Sequence, residues 1–156
     1  MMPPEETRKK VTIKWLEKCA KDLAVGRLLL EKGETYFDFA CFHSQQCAEK
    51  AVKAFLVWHN IPFRKIHDLV SLGALCLPID STLEEILRTT AVLSRYAVDA
   101  RYPGEDGDDY TKKQTKEALG MAELVLREIA KRLPVDVHPK LSKPKGEKRS
   151  SPRKRK

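Results

Sequence analysis

The chain has 156 residues, enough for one domain with a real core, and its 42% apolar and 33% charged residues fit a charge-rich helical protein. Residues 140–156 hold nine Lys or Arg and one Glu, so this tail carries the whole net charge of +8 and residues 1–139 are balanced. The charged N-terminal segment lacks the apolar core of a signal peptide, and the longest uncharged run, 69–79, is too short to span a membrane. We therefore expect a cytoplasmic protein without a membrane segment.

The four cysteines lie in apolar helical patterns without any Cys-x-x-Cys spacing, which predicts reduced thiols in the core of a cytoplasmic protein. His43 and Cys47 share a helix face one turn apart, as metal ligands would. A structural zinc site needs two more ligands, and no local pattern supplies them. No metal and no cofactor is therefore expected.

The first half of the chain predicts two long helices. The first carries an apolar stripe and ends at Gly33. The second runs from Thr35 to about His59 and ends at Asn60 and Pro62. Small residues in the middle of the second stripe permit a neighbouring helix to approach closely. The two stripes are Val11, Trp15, Cys19, Leu23 and Leu30, then Phe37, Cys41, Ser44, Ala48, Ala51 and Phe55.

The second half predicts a short helix over 67–77, a long helix that begins at a Ser81–Glu84 capping box and runs toward Arg101, and a last helix that ends before Pro134. The connections are short, which favours antiparallel neighbours. The predicted fold is all-α, an up-and-down bundle of four long helices plus one short helix, over residues 1–134. Residues 135–156 lose the apolar period and are predicted to be a disordered basic tail.

The triplet Arg101-Tyr102-Pro103 is the first candidate site. Proline pushes Tyr102 out of helical geometry, so an arginine and a tyrosine are presented where a helix ends. A guanidinium fork pairs with phosphate and an aromatic ring stacks on a base. The alternative is structural: the arginine caps the last carbonyls and the tyrosine packs on the bundle.

Three further residues complete the predicted ligand-binding set. Arg95 lies on the same helix as Arg101. His67 either faces the same groove, as a proton donor or ligand contact, or caps the short helix. Lys53 follows Glu49 by four residues, an arrangement that also fits a solvated or interhelical polar face. No catalytic residue is assigned.

In combination, these residues resemble the HEPN domain (higher eukaryotes and prokaryotes nucleotide-binding) over about residues 10–132. The motifs are a Gln-Gln-x-x-Glu-Lys-x-x-Lys-Ala-x-Leu helix over 45–56, then His67-Asp68-Leu69, then Arg101-Tyr102-Pro103. The resemblance implies a homodimer with a groove between protomers. It also implies a small nucleotidyltransferase as partner, often in a toxin–antitoxin-like pair. Other relatives are metal-independent ribonucleases that use an Arg and a His with four to six residues between them.

This chain departs from that ribonuclease spacing. No histidine follows Arg95 or Arg101 at the required distance, and the one match, Arg132 with His138, crosses the end of the last helix into the predicted tail. The leading hypothesis is a non-catalytic dimeric module that binds a nucleotide or RNA. The alternatives are a ribonuclease with a rearranged set such as His67 and Arg101, and a purely structural interaction protein. The tail either binds nucleic acid by counterion release or only solubilises the chain.

Overall fold

The computed structural model describes residues 4–66, 68–103 and 110–139, and the all-α prediction is confirmed. Five α-helices occur in these segments, and no strand does. None of these helices combines the length and apolar character that a membrane span requires. The helices are α1 (Glu5–Lys32), α2 (Phe37–Trp58), α3 (Leu69–Cys76), α4 (Glu84–Thr90) and α5 (Lys112–Lys131); 3₁₀ turns cover Glu34–Tyr36, Ser81–Leu83, Ala91–Ala97 and Val135–Val137.

Helix α2 is the centre of the bundle. It packs on α1 and α5 and also contacts α3 and the 3₁₀ segment Ala91–Ala97. All six members of its predicted apolar stripe are buried. Most of them are small, so neighbouring helices approach α2 from several sides and bury most of its surface.

Helix α1 buries a face that is slightly rotated from the predicted one. Leu16, Cys19 and Leu23 are buried as expected, but Val11 is 37% exposed, and Thr12 and Gly26 lie inside instead. A Cβ atom at Gly26 would lie 2.7 Å from Cδ2 of Leu119, so glycine permits the close approach of α5. The helix ends at the predicted Gly33, whose φ of 111° favours glycine.

The long helix predicted from Ser81 toward Arg101 is interrupted. It consists of a 3₁₀ turn, the seven-residue α4 and a second 3₁₀ segment. The first turn is capped by Asp80, which accepts from the Thr82 backbone N–H at 3.0 Å, and not by Ser81. Threonines explain part of the difference: Thr90 is β-branched, and its hydroxyl bonds to the carbonyl of Ile86 at 2.8 Å, a contact that bends helices.

The other helix starts follow local capping chemistry. Asp68, predicted as an N-terminal acid, caps α3 by accepting from the backbone N–H groups of Val70 and Ser71 at 3.2 and 3.0 Å. Thr111 and Gln114 form a capping box at the start of α5. The Gln114 amide also donates to the Tyr96 hydroxyl at 3.1 Å, which connects the 3₁₀ segment Ala91–Ala97 to α5.

Residues just beyond α5 take part in the packed structure. Val137 is buried, and Asp136 forms an ion pair with Lys9 of α1. The sequence pattern assigns these residues to the tail, whereas the buried valine attaches them to the bundle. Residues 140–156 lie outside the described residues, so the two-part division of the chain stays a prediction.

Candidate functional site

Arg101 lies on the surface shortly after the 3₁₀ segment Ala91–Ala97. Its backbone N–H donates to the carbonyl of Val98 at 3.0 Å. Its Nε atom donates to the carbonyl of Ala97 at 2.6 Å. This bond is the carbonyl cap that the structural interpretation predicted. It uses one of the five guanidinium N–H groups, and the four on Nη1 and Nη2 make no hydrogen bond within the described part of the chain.

Two aromatic rings lie against the same guanidinium. Its Cζ atom is 5.1 Å from the centre of the Phe42 ring and 5.6 Å from that of Tyr102. Tyr102 is 62% exposed, so it does not pack into the bundle as the structural alternative supposed. The rings and the Ala97 carbonyl hold the guanidinium in place, which lowers the entropy that a ligand contact would cost.

No side-chain contact among the described residues joins Arg95 to Arg101. Arg95 is exposed, and its backbone carbonyl accepts from the N–H of Asp99 at 3.0 Å. His67 lies outside the described residues. The roles of both residues in ligand binding therefore stay predictions.

Lys53 lies in the interior of the bundle. Its side chain is 7% exposed and pairs with Glu49 at 2.7 Å. Its Nζ atom also lies 5.3 Å from the centre of the Trp15 ring and 5.7 Å from that of Phe63. The solvated-face interpretation is wrong for this lysine, because α1 and the segment after α2 cover it.

Two glutamines extend this interior network. Gln45, fully buried, donates to Glu49 at 3.0 Å, and Gln46 donates to the Gln45 side-chain oxygen at 2.7 Å. Buried polar groups must be paired to be tolerated, and here one carboxylate satisfies several donors. Part of the Gln-Gln-x-x-Glu-Lys-x-x-Lys motif is thus an interior hydrogen-bond network.

A second cluster joins α1 to α2, and sequence reasoning missed it. Asp22, only 8% exposed, bonds to Nδ1 of His43 at 2.9 Å and forms an ion pair with Lys50. Burial alone would raise the pKa of Asp22, but the bonds from His43 and Lys50 together hold that pKa below its usual value. The sequence did contain a signal for this cluster, because Asp22 is an acid on the buried side of α1 and a buried carboxylate requires a cationic partner.

His43 connects this cluster to Arg101 through Phe42. The imidazole and Phe42 rings meet edge to face with centres 5.4 Å apart, and the Arg101 guanidinium lies over the same Phe42 ring. The exposed Phe39 is one turn earlier on α2. An oriented histidine, a held arginine and exposed aromatic rings therefore share one surface.

The cysteines make structural contacts. The four thiols are buried and unoxidised, and the Sγ atoms of Cys19 and Cys47 lie 3.3 Å apart. Burial and the neighbouring thiol raise the pKa of Cys19, so it stays protonated. In the residues that the structure describes, no three His, Cys, Asp or Glu side chains are grouped to hold a metal ion.

Arg132 and His138, the one pair with ribonuclease-like spacing, are both engaged elsewhere. The Arg132 guanidinium pairs with Asp80 and Glu128, each at 3.0 Å. The Nε2 atom of His138 lies 2.9 Å from the carbonyl of Leu133, to which it donates. These bonds fasten the C-terminal turn and the Asp80 turn to the end of α5.

The helical bundle and the Arg101 surface together define an all-α domain of the HEPN type. The family model described as "HEPN domain" matches residues 12–133, and the chain belongs to this family. It is 30% identical over 128 residues to "Putative toxin MJ1304" of Methanocaldococcus jannaschii, a match that covers 74% of this chain and 83% of that protein.

Two crystal structures resemble the fold. ST0689, an archaeal HEPN homologue, is 28% identical with a TM-score of 0.62, and the match covers 78% of this chain and 96% of that one. TT1696 from Thermus thermophilus is 29% identical with a TM-score of 0.66, over 78% of this chain and 98% of that one. The sequence-based identification of the family is therefore confirmed.

Proposed function

We propose that this protein is a non-catalytic, homodimeric HEPN module that binds a nucleotide or RNA through Arg101 and Tyr102. We further propose that it acts as the toxin-like partner of a small nucleotidyltransferase in the cytoplasm. The name of the Methanocaldococcus jannaschii relative supports the toxin-like role. No histidine follows Arg95 or Arg101 with four to six residues between, which supports the non-catalytic role.

The observation that carries the binding proposal is the held guanidinium of Arg101. Its Nε is bonded to Ala97 and its face lies over Phe42, while neither terminal nitrogen has a hydrogen-bond partner among the described residues. Such a fork matches two phosphate oxygens at once. The exposed Tyr102 ring beside it offers a stacking surface for a base.

A binding measurement with a matched arginine control tests this proposal. A fluorescein-labelled single-stranded RNA is titrated with wild-type protein, Arg101→Ala and Arg88→Ala, with AMP as an unlabelled competitor. Arg88 is an exposed arginine of α4, so its loss removes the same charge. The basic tail is present in all three proteins, and its contribution therefore cancels in the comparison.

We expect Arg101→Ala to weaken binding by about tenfold or more, because a charge-assisted pair is lost. Arg88→Ala should change the affinity for RNA by less than about twofold, as expected for one screened surface charge. Equal affinities of the two variants contradict the Arg101 site. Cleavage of the RNA in EDTA, abolished by His67→Ala, favours the ribonuclease alternative instead.

The partner and dimer proposals need separate measurements. Light scattering after size exclusion measures the mass of the purified chain, and a mass of one protomer contradicts the dimer. Co-expression with the small nucleotidyltransferase encoded nearest its gene, followed by affinity purification of that enzyme, tests the pairing. Recovery of the enzyme alone counts against it.

A further inference from the structure

The Asp22–His43–Lys50 cluster has a chemical consequence that depends on which His43 nitrogen carries the proton. A carboxylate can only accept hydrogen bonds, so Nδ1 of His43 must donate to Asp22. Lys50 pairs with the same carboxylate and favours its ionised form. In the neutral ring, the proton therefore belongs to Nδ1, and Nε2 is left as an acceptor.

The acceptor atom is available to a ligand. About a quarter of the His43 side chain, 27%, is exposed, and Nε2 has no hydrogen-bond partner among the described residues. The Asp22 bond and the Phe42 ring, 5.4 Å away, hold the imidazole in one orientation. A hydrogen-bond acceptor held in one direction recognises a ligand group that donates a hydrogen bond. An ionised phosphate oxygen is not a donor.

The donor that every ribonucleotide carries, whatever its base, is a sugar hydroxyl. Arg101 supplies the cation for the phosphate and lies over the same Phe42 ring that contacts His43. A ligand that meets both side chains would therefore present a phosphate to Arg101 and a hydrogen-bond donor to His43. The 2′-hydroxyl of ribose is the group by which proteins distinguish RNA from DNA.

We propose that His43 is the residue that selects ribose over deoxyribose, by accepting a hydrogen bond at Nε2 from the 2′-hydroxyl of a nucleotide whose phosphate Arg101 binds. Asp22 is the positioning residue that directs this acceptor outward. This inference rests on the proposed binding function and adds the sugar specificity of the same site.

The test compares three single-stranded probes of one sequence at the same salt concentration and the same pH. The probes are RNA, DNA and 2′-O-methyl RNA. The methylated probe keeps the oxygen and the RNA-like sugar shape but lacks the donor hydrogen. Wild-type protein needs no substitution for this arm, so the result does not depend on the folding of a variant.

We expect wild-type protein to bind RNA about fivefold tighter than DNA, a difference that corresponds to the free energy of one hydrogen bond. It should bind the 2′-O-methyl probe with the same affinity as DNA. His43→Phe keeps a ring beside Phe42 and should lower the preference for RNA over DNA to about onefold. His59→Phe is the matched control, because His59 also lies against a phenylalanine ring, that of Phe55, with ring centres 4.4 Å apart. It should retain the full preference.

Separate outcomes overturn this proposal and the proposed function. Equal binding of RNA and DNA by wild-type protein, still dependent on Arg101, overturns the role of His43 and leaves the Arg101 site standing. Binding of 2′-O-methyl RNA as tightly as RNA also overturns it, since the sugar shape would then decide. No binding of any probe overturns both.

Discussion

Two positively charged side chains of this protein lie in opposite surroundings. Lys53 is buried in the Glu49–Lys53 pair, whereas Arg101 is exposed on the surface. Lys53 is 7% exposed, touches two aromatic rings and pairs with a carboxylate that also accepts from Gln45. Arg101 also lies on aromatic rings, but it is exposed and retains its terminal N–H groups for a ligand. Aromatic contacts alone therefore do not distinguish a structural cation from a binding one.

The difference lies in where the compensating negative charge comes from. The interior lysine obtains it from α2 itself, so its charge supports the fold. Among the described residues, the surface arginine bonds only to a carbonyl of its own turn, so a bound anion can supply the rest. Variants that separate stability from binding test this contrast.

The largest effect is expected from Lys53→Met, which leaves the Glu49 carboxylate in the interior with a main partner removed. We expect the free energy of unfolding to fall by about 3 kcal/mol, as for other broken buried pairs. Urea denaturation measures it. The control is Lys10→Met in the exposed Glu6–Lys10 pair, 81% and 72% exposed, where the change should be too small to resolve. A similar loss in both variants contradicts the interior role.

A double variant sharpens this prediction. Lys53→Met combined with Glu49→Gln removes both charges, so the penalty for an uncompensated carboxylate disappears. We expect it to be more stable than Lys53→Met alone. If the changes in the free energy of unfolding caused by the two substitutions simply add, Glu49 and Lys53 are not energetically coupled.

A smaller effect is expected from Asp22→Asn, and it depends on pH. The pKa of Asp22 is lower in the folded protein, so its contribution is present above the unfolded-state value, about pH 4, and is lost as pH falls through the folded pKa. We expect a loss of about 1–2 kcal/mol at neutral pH that shrinks at lower pH. Urea melts across this range measure it, with Asp99→Asn as the surface control. A loss independent of pH contradicts the assignment.

The smallest effect on stability is expected at Arg101. Arg101→Ala should change the free energy of unfolding by less than about 0.5 kcal/mol, because the side chain is exposed and bonds only to its own turn. The same variant should lose the thermal stabilisation that bound RNA gives to wild-type protein. A destabilisation similar to that of Lys53→Met would place Arg101 among the structural residues.

Helix positions and the family follow from local patterns in the chain. The stripe from Phe37 to Phe55 and the glycine at 33 each depend on neighbouring residues, and the structure agrees with both. The break after α4 was missed, because threonine hydroxyls that bond to their own helix shift the balance between α and 3₁₀ geometry only slightly. Such small differences are hard to predict from a pattern.

The candidate site was only partly predictable for a different reason. Arg101 and Tyr102 are adjacent in the chain and end a helical segment, so local rules indicate them. Asp22 and His43 are 21 residues apart on two helices, and their contact depends on how α1 and α2 rotate about each other. The histidine was weighed as a metal ligand with Cys47, which instead lies beside Cys19 in the core.

The sequence by itself determined that this protein is an all-α member of the HEPN family with a basic tail and a polar motif on its second helix. The helices depend on periodicity and caps, which act over a few residues, and the family was identified by the resemblance of short motifs. Only the tertiary structure decided that Lys53 is interior, that Arg101 lies over Phe42 and that Asp22 orients His43. A helical period identifies which residues share a face, but the packing of one helix on another decides what that face meets.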